Sequence, residues 1–126
     1  MDSEALARRL AELADSKKAT EIVALDMRGL VSYTDFLVIC TGRNERQAAA
    51  IADEVGLRLK REKSLLARVE GGPAAGWTVL DYLDSVLHVF TPEARDRYRL
   101  EVLWGDAPRI ELGLAGEAVG SRAARA

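Results

Sequence analysis

The stretch WTVLDYLDSVLHVF, residues 77–90, holds the only histidine of the chain, His88, together with two carboxylates, Asp81 and Asp84. Two acids and an imidazole this close in sequence could hold a divalent cation or move a proton. Hard cations want several converging oxygens, and a hydrolytic zinc site wants about three protein ligands. No second histidine and no thiol stands nearby. Aspartate also favours turns for a local reason, because its carboxylate accepts from neighbouring backbone N–H groups. The residue types therefore favour a structural or partner-contact role, and no metal site is expected. On a strand, His88 shares a face with Val86 and Phe90, while Leu87 and Val89 take the other.

Three further groups bear on chemistry. In TGRNERQ, residues 41–47, a strand leads through Gly42 into a helix start, where free N–H groups can receive an anion. Neither phosphate-binding glycine motif is present, so an ordinary strand-to-helix turn is favoured, with Arg43 and Arg46 as surface contacts. Cys40 sits in a continuous apolar run without a basic neighbour and reads as core. The aromatic residues Trp77, Tyr82, Tyr98 and Trp104 crowd into the last third of the chain. Trp77 reads as core. Tyr82 and Trp104 divide evenly between core and interface, because Trp and Tyr beside charge also make interface anchors. Asp81, Asp84, Glu93, Asp96, Glu101 and Asp106 add acid to the same third, interleaved with Arg95, Arg97 and Arg99. That is either a solvated helix face or a docking face for a basic protein.

The elements that must position these residues are legible from periodicity. Leu6, Leu10 and Leu13 predict a first helix, with Ser3 as its cap. TEIVALDM predicts a strand over 20–27, and DFLVICT a second strand too apolar to have a wet face. A long helix then runs from NERQ, with Asn44 and Gln47 at capping-box spacing and Ala48, Ile51, Ala52, Val55 and Leu59 as its buried stripe. LLARVE predicts a third strand, and WTVLD and SVLHVF a hairpin. Thr91-Pro92-Glu93 starts a last helix. The order α-β-β-α-β-β-β-α predicts a single α/β domain over residues 1–106, a mixed sheet of about five strands flanked by helices. Only one strand–helix–strand crossover is available for a parallel pair. Gly, Ala and scattered charge from Ala107 onward predict a flexible tail over 107–126.

Composition narrows the function. The chain has 126 residues and a net charge of −2, which excludes attachment to nucleic acid through a strongly basic surface. One cysteine excludes an internal disulfide. No apolar run reaches the ~20 residues of a membrane helix. The acidic start, MDSEALARRLAEL, makes a poor secretory signal, so a cytoplasmic protein without membrane attachment is expected.

Four blocks in order, IVALDMRGLVSYTDFLVICTG, RNERQAAAIADEV, GWTVLDYLDSVLHVF and PEARDRYRLEVLWGD, resemble the ribosomal silencing factor family (RsfS, also called Iojap-like). The resemblance spans about Ala19 to Asp106. It implies a nucleotidyltransferase-like core without nucleotidyl transfer, and no cofactor. It implies binding to the 50S subunit through large-subunit ribosomal protein fourteen, which blocks joining of the small subunit and holds down translation when nutrients fall. Carried onto this chain, the partner-binding residues are Trp77, Asp81, Tyr82, Asp84, His88, Tyr98, Glu101 and Trp104, with Arg43 and Arg46 as secondary contacts. Leu83 stands where the family often has glycine, so the hairpin tip is expected to differ in backbone shape. Two other readings stay open: a degenerate metal-dependent nucleotidyltransferase using Asp81 and Asp84, and a dimeric adaptor. For the free protein, a homodimer also stays open.

Overall fold

A computed structural model of the chain describes residues 1–118. The elements are α1 (Ser3–Ser16), β1 (Thr20–Asp26), β2 (Phe36–Thr41), α2 (Glu45–Lys63), β3 (Arg68–Gly72), a 3₁₀ turn (Pro73–Ala75), β4 (Trp77–Asp81), β5 (Ser85–Phe90), α3 (Pro92–Tyr98) and α4 (Leu100–Leu103). The expected mixed α/β order is present. The strands form one five-stranded sheet in the order β1-β2-β5-β4-β3. β2 and β5 run parallel, and the other neighbours are antiparallel.

The parallel pair is not the one that α2 joins directly. The chain leaves β2 through α2, lays down the β3–β4 hairpin, and only then returns as β5 beside β2. Burial explains the choice. β2 and β5 are apolar on both faces, so they fill the interior of the sheet, whereas β3 carries Arg68 and Glu70 and takes an edge.

Helices α1 and α2 cover one face of the sheet. Leu6, Leu10, Leu13, Ile51, Val55 and Leu59 pack there on Ile22, Phe36, Val38, Leu80, Leu87 and Val89. Cys40 lies in this core as expected, and burial pushes its thiol up to about 12, so it is no thiolate. The second face carries Val23, Leu25, Leu37, Ile39, Val86 and Phe90, over which Ala94, Leu100, Trp104 and Ala107 pack.

Local chemistry sets the boundaries. Asp2, not Ser3, caps α1, its carboxylate accepting from the Ala5 N–H at 2.7 Å. Asn44 caps α2 through the Gln47 N–H at 2.8 Å, and Gln47 Oε1 accepts from the Arg43 N–H at 2.7 Å. Gln47 Nε2 also donates to the carbonyls of Lys17 and Lys18, tying the start of α2 to the turn after α1. β3 begins later than the LLARVE run, because Ser64 in the left-handed region and the Leu65 N–H, bonded to Leu59 O, close the end of α2.

The segment from Ala107 departs from the expected flexible tail. Ala107 is buried, Asp26 N–H donates to Pro108 O at 2.8 Å, and Ile110 N–H donates to Ala24 O at 2.9 Å. Farther on, Ile22 N–H donates to Gly116 O and Ala118 N–H to Ile22 O, both at 2.9 Å. Residues 107–118 thus satisfy the outer backbone groups of β1, a service that needs main chain and no apolar period. Residues 119–126 of the expected tail lie outside the described residues. No described helix is long and apolar enough to cross a membrane.

Candidate partner-binding face

The β4–β5 register pairs Trp77 with Phe90, Val79 with His88 and Asp81 with Val86. These residues therefore share the sheet face turned away from α1 and α2. The indole Nε1–H of Trp77 donates to His88 Nδ1 at 3.0 Å. The Trp77 ring centroid lies 5.0 Å from that of Phe90 and 4.4 Å from that of Tyr98. Trp77 is half-buried and Tyr98 is 42% exposed, so one side of the cluster packs and the other meets solvent.

The helix that brings Tyr98 is fixed at its start. Thr91 Oγ1 accepts from the Ala94 N–H, Pro92 opens α3, and the Thr91 N–H donates to Gly76 O at 3.0 Å. Gly76 has φ +80, and a Cβ there would lie 3.0 Å from Thr91 Oγ1 and 3.1 Å from Ala94 Cβ. Only glycine lets the turn before β4 sit this close to α3.

The electrostatics of the cluster follow from one bond. An indole N–H can only donate, so His88 Nδ1 is the lone-pair nitrogen and Nε2 carries the proton. Burial pushes the imidazole pKa down to about 4, against an opposing pull from the Asp81 carboxylate. His88 is thus neutral near pH 7, and its Nδ1 accepts the hydrogen bond that orients Trp77.

Asp81 and Asp84 do the work of a hairpin tip. Asp81 Oδ1 accepts from the Leu83 N–H at 2.7 Å. The Asp84 carbonyl accepts from Asp35 N–H at 2.9 Å and Phe36 N–H at 3.2 Å, and its side chain is exposed. Leu83 has φ 73, so the leucine adopts the left-handed shape that glycine takes freely, at a cost of about 1–2 kcal/mol. The tip keeps a glycine-type backbone despite the leucine. Among the described residues, no three His, Cys, Asp or Glu side chains are grouped to hold a metal.

Not every expected residue lies on this face. Tyr82 alternates with Asp81, so it points to the helix side, where it is 9% exposed in the core of α1 and α2. Glu101 is turned inward: its Oε2 accepts from Arg95 Nε at 3.0 Å, and Arg95 Nη1 donates to Thr41 Oγ1 at 2.8 Å. Arg95 is itself buried, so Glu101 neutralises a cation beneath α3. Trp104 packs half-buried against the second-face core. Arg43 and Arg46 are exposed away from the aromatic face, at the start of α2, where they and Lys17 and Lys18 line a groove of about 440 Å³. Val79, Val102 and Leu103 escaped the sequence reading. Val79 lies directly across from His88, and Val102 and Leu103 stand exposed on α4 just after Tyr98. Both belong to the one-turn helix LEVL, in which Glu101 is the single polar residue.

The chain is thus a mixed α/β sandwich with one closed core and one half-open aromatic face. The whole chain, residues 1–126, matches the family model described as "Ribosomal silencing factor during starvation". It is 40% identical over 112 residues to the ribosomal silencing factor RsfS of Halalkalibacterium halodurans, covering 89% of this chain and 96% of that one. It is 30% identical over 98 residues to a mouse protein named "Mitochondrial assembly of ribosomal large subunit protein 1", covering 75% of this chain and 43% of the relative. Its fold matches the crystal structure of protein CV0518 from Chromobacterium violaceum with a TM-score of 0.79 and 28% identity, over 98% of this chain and all of the other. The chain belongs to the ribosomal silencing factor family.

Proposed function

We propose that this chain acts as a steric plug on the large ribosomal subunit. It docks through the Trp77–His88–Tyr98 face onto large-subunit ribosomal protein fourteen, occupies space the small subunit needs, and so represses translation under nutrient limitation. No bond is made or broken. One observation carries the assignment of the face: an aromatic cluster held rigidly from behind by the Trp77–His88 hydrogen bond, yet open in front at Tyr98. Preorganised aromatic anchors bind tightly because little side-chain freedom is lost on docking. A contact of about 800 Å² per partner is enough for specific binding. The exposed carboxylate of Asp84 supplies an acidic partner for Lys or Arg at the rim, favouring a basic protein surface over bare RNA. The mouse relative's name, which couples it to the large subunit, and membership of a silencing-factor family both support this reading.

The test is sedimentation with separated ribosomal subunits. The protein is expected to pellet with 50S and not with 30S, and to reduce 70S formation when added before mixing. Tyr98→Ala is expected to weaken 50S binding at least about fivefold, the scale of an anchor worth more than about 1 kcal/mol. Equal pelleting with both subunits, or unimpeded 70S formation, refutes the proposal.

A further inference from the structure

Helix α2 carries a second stripe beside its buried one. Ala49, Ala52, Asp53 and Gly56 stand at i, i+3, i+4 and i+7, so they share a face, and that face is turned to the β3–β4 hairpin. Helix and hairpin bound a groove of about 380 Å³. Thr78 and Leu80 floor it, and Leu66 and Val69, 73% and 61% exposed, flank it. Small residues on α2 keep it open. A Cβ at Gly56 would meet only Leu80 Cδ2 within 4 Å, at 3.9 Å, so close packing does not require the glycine.

We propose that this groove binds a small amphipathic amine, with an oxygen at its inner end on Thr78 Oγ1, its apolar body on Leu80 and its ammonium on Asp53 at the mouth. Thr78 carries the proposal. It is 4% exposed, and strand alternation turns its side chain to the groove with Leu80 and away from Trp77. Its Oγ1 has no hydrogen-bond partner among the described residues. A buried hydroxyl left unpaired is costly, and it can donate or accept, so it suits a hydroxyl or carbonyl oxygen. Charge decides the other end. Asp53 is exposed and is the only charged residue along the groove among the described residues. The ion pairs of α2 run through Glu54 and Glu62 and leave Asp53 out. A phosphate or carboxylate would find no cation here, whereas an ammonium finds a carboxylate without a partner. The volume, near the low end of the roughly 300–1,000 Å³ usual for ligand sites, limits the guest to a small molecule.

Thr78 and Trp77 point to opposite faces of β4, so the groove lies behind the aromatic face and this proposal does not rest on the docking reading. Tyramine is the probe, since it carries a hydroxyl, an apolar ring and an ammonium in that order. Titration of the isotope-labelled full chain, followed by amide and methyl NMR, is expected to give saturable shifts at Gly56, Thr78 and Leu80 and none at Tyr98. Phenethylamine lacks the hydroxyl and is expected to bind about tenfold more weakly. Phloretate puts a carboxylate in place of the ammonium and is expected to give no saturable shift.

Three variants assign the contacts. Thr78→Val is expected to erase the difference between tyramine and phenethylamine. Asp53→Asn is expected to weaken tyramine about two- to fivefold, the scale of an exposed ion pair. Gly56→Leu fills the groove from the helix side and is expected to abolish binding. The fold tolerates these changes: leucine suits a helix better than glycine, and Thr78→Val removes a hydroxyl that has no partner. Urea midpoints of Thr78→Val and Gly56→Leu are therefore expected to match or exceed that of the wild type, so lost binding is not lost structure. Four results overturn the proposal: no saturable shift with tyramine, equal affinity for tyramine and either analogue, shifts that survive Gly56→Leu, or a midpoint lowered by Thr78→Val. The last would mean that the hydroxyl is already bonded within the free protein.

Discussion

Acidification should weaken the fold in a window that belongs to one residue. The His88 pKa falls from an ordinary 6.5 to about 4 in the folded chain, chiefly through burial. The unfolded chain therefore binds a proton below pH 6.5 that the folded chain refuses until about pH 4. Stability is fully present above the unfolded value and is lost as pH falls through this window, levelling once the folded value is passed. Weighting the two titrations gives a loss of about 2 kcal/mol between pH 7 and 5, and about 3 kcal/mol by pH 4. The chain has a single histidine, so no other imidazole shares the slope. The lowered carboxylates act at lower pH: Glu62, held near 2 by hydrogen bonds from Arg9 and Arg58, and Asp26, held down by Arg28, lose their contributions only as pH falls below the usual carboxylate range. Urea unfolding followed by circular dichroism at pH 7, 6 and 5 reads the effect directly. With a slope of about 1–3 kcal/mol per M, the midpoint is expected to drop by roughly 1 M from pH 7 to 5. His88→Asn keeps an acceptor near the indole N–H but cannot titrate, and is expected to flatten that dependence. A wild-type midpoint constant between pH 7 and 5, or a slope that survives His88→Asn, refutes the reasoning.

Two charge reversals that look alike in sequence should part company. Asp84→Arg changes an exposed carboxylate, and is expected to weaken 50S binding in co-sedimentation with unfolding unchanged. Glu101→Arg leaves the buried Arg95 without its anion and adds a second cation, so a loss of about 3–5 kcal/mol in urea unfolding is expected. Gly71→Ala should cost about 3 kcal/mol or more by the same assay, since φ is +75 and a Cβ would fall 2.2 Å from the Trp77 carbonyl oxygen. Truncation after Asp106 uncovers the β1 edge, and hydrogen exchange is expected to speed up at the Ile22 and Asp26 amides, which donate to Gly116 and Pro108 in the full chain.

Much of the fold was legible because each element announces itself locally. The alternation in WTVLD and SVLHVF, the Thr91-Pro92 start and the Leu6-Leu10-Leu13 stripe each specify an element without reference to the rest. Pairing is a non-local choice and was read less well. Nothing in α2 says that the strand it leads to will sit at an edge; only the competition for a buried centre between VEGG and VLHVF decides that. The tail misled for a related reason: residues 107–118 hold β1 through their main chain, and main-chain bonds leave no side-chain signature. At the candidate site, types were legible and directions were not. Tyr82 and Asp81 are adjacent, yet strand alternation sends one into the helical core and leaves the other on the open face. Glu101 reads as surface acid until Arg95, six residues earlier, is seen folded beneath it.

Those directions also explain why the half-open face can be rigid without being covered. An exposed aromatic cluster ordinarily loses order, because a side chain packed on one side retains rotamers on the other. Here each ring is held by something behind it. Trp77 is fixed by a hydrogen bond to a histidine that has no competing charge state near pH 7. Tyr98 is fixed by a helix whose first turn is locked to Gly76 and whose underside is neutralised by Glu101. Glu101 and His88 are therefore part of the same device. Both spend their polarity inward, and that holds Trp77 and Tyr98 in place, as the proposed docking needs if it is to cost little further entropy.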